Sequence, residues 1–210
     1  MTPVFGIRRT GLAALVAGSM SVAGLVAISQ ARSEDKRASE SPIVQVGAET
    51  EKAGPKKDEK ITIKAFMAND RLPAGGQCRV AMLVTIQEGW HINTNPANPK
   101  ENIPTEFKVK SKLGTVLKGV QYPKGVEFVN TMSNQKESVY QKQVLLYGTL
   151  HIPKEAAGST EELDLEVKYQ PCNDKICLPP RTVKITGKVA VAAPGEEVKE
   201  INSKYFTSGN

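Results

Sequence analysis

Aromatic residues make up only 5% of this 210-residue chain, and tryptophan occurs once, as Trp90. The basic residues are interspersed with acidic ones and are not interleaved with aromatics, which argues against a nucleic-acid surface. Histidine occurs twice, as His91 and His151, too scattered to suggest a metal site or a bound cofactor. No cysteine precedes Cys78, which excludes lipoprotein processing. Beyond residue 31 there is no apolar stretch of membrane-spanning length, about 20 residues. Between residues 59 and 193 no ten-residue stretch carries a persuasive helical period, and no internal repeat is found.

What is present starts with a leader. Arg8 and Arg9 precede an uncharged run from Thr10 to Ser29, and Ser29 and Ala31 fit the small-residue pattern of a cleavage site. Residues 1–31 therefore read as a signal peptide, or as an N-terminal membrane anchor if they are not cut. The arginine pair also leaves twin-arginine export open beside the general route. Either route delivers the chain to an oxidising compartment, periplasmic or otherwise extracytoplasmic, where disulfides persist. Without Arg8 and Arg9 the 28 basic residues become 26 against 22 acidic, so the formal charge falls from +6 to +4.

Residues 32–58 are polar, charged and nearly free of large apolar groups, so they bury too little surface to offset ordering entropy and read as a disordered linker. From there to residue 193 the pattern is alternation with period two. Ile61, Ile63, Ala65 and Met67 share one face of a strand, as do Cys78, Val80, Met82, Val84 and Ile86. Further rows run through Phe107 and Val109, from Val144 to Ile152, through Leu163, Leu165, Val167 and Tyr169, and from Val183 to Val191. Turn residues lie between them at Pro73–Gly76, Asn93–Pro99, Pro123–Gly125 and Ala156–Ser159. Seven or so short strands over residues 59–193 predict an all-β, two-sheet antiparallel sandwich. Residues 194–210 form a charged tail with at most a short helix from Glu196 to Tyr205.

Three cysteines leave one unpaired if a single disulfide forms. Pairing Cys78 with Cys172, with Trp90 packed between, would imitate an immunoglobulin inter-sheet bridge. Strand parity opposes it: the row ending at Tyr169 continues inward at Pro171, not at Cys172. Pairing Cys172 with Cys177 closes a loop so short that it supplies only about 2 kcal/mol of chain entropy. A domain of this size folds without such a staple, and a short exposed bridge is of the kind that exchanges readily. Cys78 is in phase with Val80 and Met82 and is expected to be a buried, free thiol. The spacing of Cys172 and Cys177 also falls within zinc-ligand range, with His91 or His151 as the nearest candidates to complete a site. Lys175 and Arg181 nearby would favour a thiolate, and Asp174 would oppose it.

The segment Gln170–Pro180 (QPCNDKICLPP) resembles the active-site segment of the N-terminal periplasmic domain of the thiol:disulfide interchange protein DsbD. Gly89–Ile92 with Asn95 and Pro96, then Ile103–Glu106, is similar to a second recurrent stretch of that family, and Ser138–Tyr140 to a third. The resemblance implies an immunoglobulin-like antiparallel β-sandwich whose two cysteines sit at one end under a cap loop. It implies electron relay from a membrane electron donor to thioredoxin-like partners that isomerise disulfides or prepare apocytochromes for haem. No dissociable cofactor and no metal are implied. Carried over by position, Cys172 and Cys177 are the redox pair, with Cys177 forming mixed disulfides and Cys172 resolving them. The cap falls between Val126 and Tyr140, around Thr131, Met132 and Ser133. The family's best-known members have a longer spacer between the cysteines. The alternative is a non-catalytic binding module of the same fold whose disulfide only locks a loop.

Overall fold

The computed structural model describes residues 60–131 and 133–206. The expected leader (residues 1–31) and linker (residues 32–58), Met132 of the expected cap, and residues 207–210 lie outside the described residues. The described residues form eleven strands and two single 3-10 turns. In chain order the strands are β1 (Ile61–Met67), β2 (Gln77–Ile86), β3 (His91–Asn98), β4 (Glu106–Ser111), β5 (Val116–Gln121) and β6 (Val126–Val129). They continue as β7 (Lys136–Tyr140), β8 (Gln143–His151), β9 (Thr160–Tyr169), β10 (Pro171–Cys172) and β11 (Arg181–Ala190).

All strand pairs are antiparallel, and they assemble into ladders ordered β1-β2-β8-β5, β11-β9-β4 and β10-β3-β7-β6. The architecture is an all-β, immunoglobulin-like sandwich. Its core joins the inward rows of β1, β2 and β8 to Phe107 of β4 and to Leu163, Leu165, Val167 and Tyr169 of β9. These are the alternating apolar positions of the sequence, and burying each such side chain contributes about 1.5–3 kcal/mol. Cys78 belongs to this core, opposite Leu150 on β8, and is a free, buried thiol.

One expectation needs correction. Of Asn93–Pro99, read from sequence as a turn, residues Asn93–Asn98 make up most of β3. Its polar side chains are satisfied by the loop that follows: Asn93 Nδ2 donates to the Ile103 carbonyl at 3.0 Å and Asn95 Nδ2 to the Thr105 carbonyl at 2.9 Å. Thr105 Oγ1 in turn donates to the Asn93 carbonyl at 2.6 Å. The strand is thus held by buried polar bonds instead of an apolar row, which is why alternation did not reveal it. The segment Glu196–Tyr205, expected to carry at most a short helix, holds a 3-10 turn at Ser203–Tyr205.

That C-terminal segment covers the outer face of β1, β2 and β8. Phe206 is buried there with Phe66, Ala68 and Ala81, and Tyr205 stacks on Phe66 with ring centroids 3.8 Å apart. Arg79 fastens it by donating to the Phe206 carbonyl at 3.1 Å while lying 5.0 Å from the same residue's ring. Arg71 forms an ion pair with Glu196, and the Ile201 amide donates to the Ala68 carbonyl at 2.8 Å. Apolar residues on both phases of β2 are explained by this second covered face.

One buried carboxylate ties the β4–β5 turn to β9. Glu161 accepts from Thr115 Oγ1 at 2.6 Å, Ser111 Oγ at 2.9 Å, and the amides of Lys112, Leu113 and Glu162 at 3.0–3.1 Å. Burial alone would raise its pKa, but the bonds from Thr115, Ser111, Leu113 and Lys112 outweigh it and hold the carboxyl below its ordinary value.

Candidate functional site

After Tyr169 the chain leaves the β9 ladder. Gln170 is the switch point, and Pro171 and Cys172 pair instead with Ile92 and His91 of β3. Pro171 is buried, as parity predicts, yet Cys172, now paired with His91 of β3, is buried too, at 3% exposure. Cys172 and Cys177 form a disulfide with their α-carbons 4.0 Å apart. The two cysteines differ in exposure: Cys172 is buried, whereas Cys177 is exposed, beside an Ile176 that is 50% exposed.

The four residues between the cysteines form a self-bonded turn. Asn173 Oδ1 accepts from the amides of Lys175 and Ile176, both at 2.9 Å. The Asn173 amide donates to the Ile176 carbonyl at 2.9 Å, and the Leu178 amide to the Pro171 carbonyl at 2.8 Å. Gln170 Nε2 adds a bond to the Leu178 carbonyl at 3.1 Å. Asparagine suits this place because its short side chain mimics a backbone turn. The result is a small hairpin in which Cys172 faces Cys177 across an isolated bridge.

The β6–β7 hairpin lies against this turn. Thr131 Oγ1 donates to the Asp174 carbonyl at 3.0 Å, so one of the three expected cap residues touches the cysteine loop directly. Ser133 contributes to the hairpin's own tip, its amide donating to Asn130 Oδ1 at 3.3 Å and its hydroxyl accepting from the Gln135 amide at 3.4 Å. Asn130 Nδ2 also donates to Glu137 Oε1 at 2.9 Å, which joins the tip to β7.

Four residues around the disulfide were not singled out as site residues from sequence. Phe128 of β6 lies with its ring centroid 4.3 Å from that of His91. His91 is 2% exposed, and Glu137 of β7 is 7% exposed. Asn173 shapes the turn. His91, named from sequence as a candidate metal ligand, stands opposite Cys172. The signal for it was its place in the Gly89–Ile92 stretch, which shares the resemblance of the cysteine segment. Among the described residues, no three His, Cys, Asp or Glu side chains gather as metal ligands. His151, at the end of β8, is not part of this site.

Chemically, the arrangement offers one exposed cysteine, one buried cysteine and a hydrogen-bonded turn holding them together. That suits an exchange in which the accessible thiolate attacks and the protected thiol closes the ring.

A family model described as "Thiol:disulfide interchange protein DsbD, N-terminal" matches residues 62–188. No curated protein matches the chain. Among solved structures, the N-terminal periplasmic domain of ScsB from Proteus mirabilis is similar, with 12% identity and a TM-score of 0.44 over 66% of this chain and 50% of that one. A DUF4466 family protein from Parabacteroides merdae is similar at 16% identity and a TM-score of 0.30, over 59% of this chain and 44% of that one. The chain thus spans half or less of the length of these solved chains.

Proposed function

Because the chain belongs to the family of DsbD N-terminal domains, we propose that it exchanges thiols and disulfides outside the cytoplasm, through Cys172 and Cys177. In this proposal residues 1–31 export or anchor the chain, residues 32–58 tether it, and residues 59–193 carry the exchange chemistry. Electrons enter from a membrane donor and leave to thioredoxin-like proteins.

The observation that supports this most is the difference between the two cysteines of one short-loop disulfide, one exposed and one buried. In the reduced domain the Cys177 thiolate attacks a partner's disulfide. A Cys177–partner bond forms, the partner's own S–S bond breaks, and the released partner sulfur takes up a proton. Cys172 then attacks Cys177, the internal disulfide closes, and the partner leaves with its second thiol. Two electrons and two protons have passed from the domain to the partner, and no dissociable cofactor takes part. The Asn173 turn keeps Cys172 within reach for the second step, and the Thr131 contact fixes the turn against the cap hairpin.

The direct test is reduction in the native state. A relay disulfide is opened by millimolar dithiothreitol without denaturant and re-forms with oxidised glutathione, while the fold persists. A bridge that resists until the protein unfolds would instead identify a binding module with a structural disulfide.

A further inference from the structure

His91 is the neighbour of the disulfide that the exchange steps above leave without a task. It opens β3 directly opposite Cys172. Facing residues of an antiparallel pair hold their β-carbons about 4.5–5.5 Å apart on one side of the ladder. Imidazole and sulfur are therefore nearest cross-strand neighbours, and both residues are closed off from solvent, at 2% and 3% exposure. Nε2 of His91 is buried and has no hydrogen-bond partner. Buried polar nitrogens are almost always paired, so an unpaired one beside a reactive sulfur calls for a physical reason.

The surroundings supply one. Phe128 of β6 shields the ring. Glu137 of β7 and Asp174 of the cysteine loop are the charged groups that face it. Burial pushes the imidazole pKa below its ordinary 6.5, and the two carboxylates pull the other way without restoring it. The ring is accordingly neutral at pH 7, with acidic groups nearby to stabilise the cation if it gains a proton. In the disulfide state Cys172 carries no hydrogen to offer. In the dithiol state its S–H is the donor nearest across the ladder to an acceptor that otherwise has none.

We propose that His91 Nε2 accepts the proton of the Cys172 thiol when Cys172 resolves the mixed disulfide held on Cys177. This deepens the exchange function above and rests on it. The proton passes from Cys172 Sγ to Nε2, and the resulting thiolate attacks Cys177 Sγ. The Cys172–Cys177 bond forms as the Cys177–partner bond breaks, and the partner's thiolate departs with the electron pair. That thiolate, or solvent, then takes the proton from the imidazolium. The domain's two thiols are oxidised, and the partner's disulfide is reduced. A buried thiol with an ordinary pKa of about 8.5 would be a poor nucleophile at pH 7 without such an acceptor.

The test mixes the reduced full-length chain with 5,5′-dithiobis(2-nitrobenzoate) by stopped flow. The first equivalent of thionitrobenzoate reports attack by Cys177, and the second reports closure by Cys172. Cys78 is buried in the core and silent while the protein is folded. His91→Gln is expected to slow the second phase about 100-fold at pH 7, the usual scale of general-base assistance. The first phase should change by less than about twofold, and the defect should shrink in alkali, as the thiol comes to ionise unaided. His91→Phe, which keeps a ring against Phe128, should behave alike. A merely structural role would not produce a defect that pH repairs.

If both variants resolve at the wild-type rate while wild type shows two phases, the proton role is overturned and the exchange function stands. If wild type itself releases no second equivalent, the exchange function falls and this proposal falls with it. Should both variants fail to fold, the wild-type pH profile decides. A second phase level above pH 6.5 and falling below it supports His91; a tenfold rise per pH unit through neutrality, with no break, overturns it.

Discussion

Replacing Asn173 by alanine isolates what the cysteine turn contributes to the redox equilibrium. Asn173 Oδ1 accepts two backbone amides at 2.9 Å, and with its own amide bond to Ile176 it holds Cys172 facing Cys177. The amides of Lys175 and Ile176 lie at exposed positions, so water replaces the lost acceptor. The net loss at an exposed site is then ~0.5–1 kcal/mol per bond, the lower part of the ordinary range, or about 1–2 kcal/mol for the pair. In the oxidised protein the disulfide itself restrains the loop. The loss therefore falls chiefly on the disulfide form, which keeps the turn without its bonds, whereas the dithiol escapes part of it because its turn frays and its thiols meet less often. For a two-electron couple 30 mV corresponds to about 1.4 kcal/mol, so the potential should rise by about 20–40 mV and the disulfide become easier to reduce. Wild type and variant are equilibrated with graded ratios of reduced to oxidised glutathione, quenched with an alkylating agent, and scored for oxidised fraction. A potential unchanged within about 5 mV, or one that falls, would refute the idea that the turn pre-organises the thiols.

Three further outcomes follow from the same contacts. Replacing both Cys172 and Cys177 by serine should leave a folded sandwich about 2 kcal/mol less stable by urea titration, against a typical total of ~5–15 kcal/mol. Glu161→Gln should cost about 2–4 kcal/mol at pH 7, because five donors lose a buried charge. The carboxyl's folded pKa is depressed. Its contribution is therefore complete above the unfolded value of about 4.3 and lost as pH falls through the folded one, so the two urea midpoints should converge in acid. Thr131→Val removes the bond to the Asp174 carbonyl, a contact of ~0.5–1 kcal/mol at an exposed site, and should speed reduction by dithiothreitol about two- to fivefold. A slower reaction would show that the cap hairpin assists the chemistry instead of restraining it.

The long half-buried strands β1, β2, β8, β9 and β11 were legible in sequence, because each carries an apolar row against one shared core. The cysteine pairing was legible for a related reason: parity kept Cys172 out of the row that ends at Tyr169, and short spacing favoured Cys177. What parity missed is that Cys172 is buried all the same, since the chain changes ladders at Gln170. β3 was hidden because its stability comes from Asn and Thr side chains bonded to a later loop, which leave no periodic trace. The C-terminal cover was hidden as well. Its trace in sequence was the apolar outward phase of Phe66, Ala81, Leu83, Leu145 and Tyr147, which marks a second buried face. The place of His91 depends on a register between segments far apart in the chain, which local pattern does not encode.

The central claim is that Cys177 attacks and Cys172 resolves. It is tested by expressing Cys172→Ser and Cys177→Ser forms of the full chain in their own cells, quenching thiols with acid, and resolving covalent adducts without reductant. Cys172→Ser should accumulate a mixed disulfide with a thioredoxin-like protein, and Cys177→Ser should accumulate little or none. Equal trapping by the two variants would contradict the assigned roles, and trapping by neither would contradict exchange through this pair.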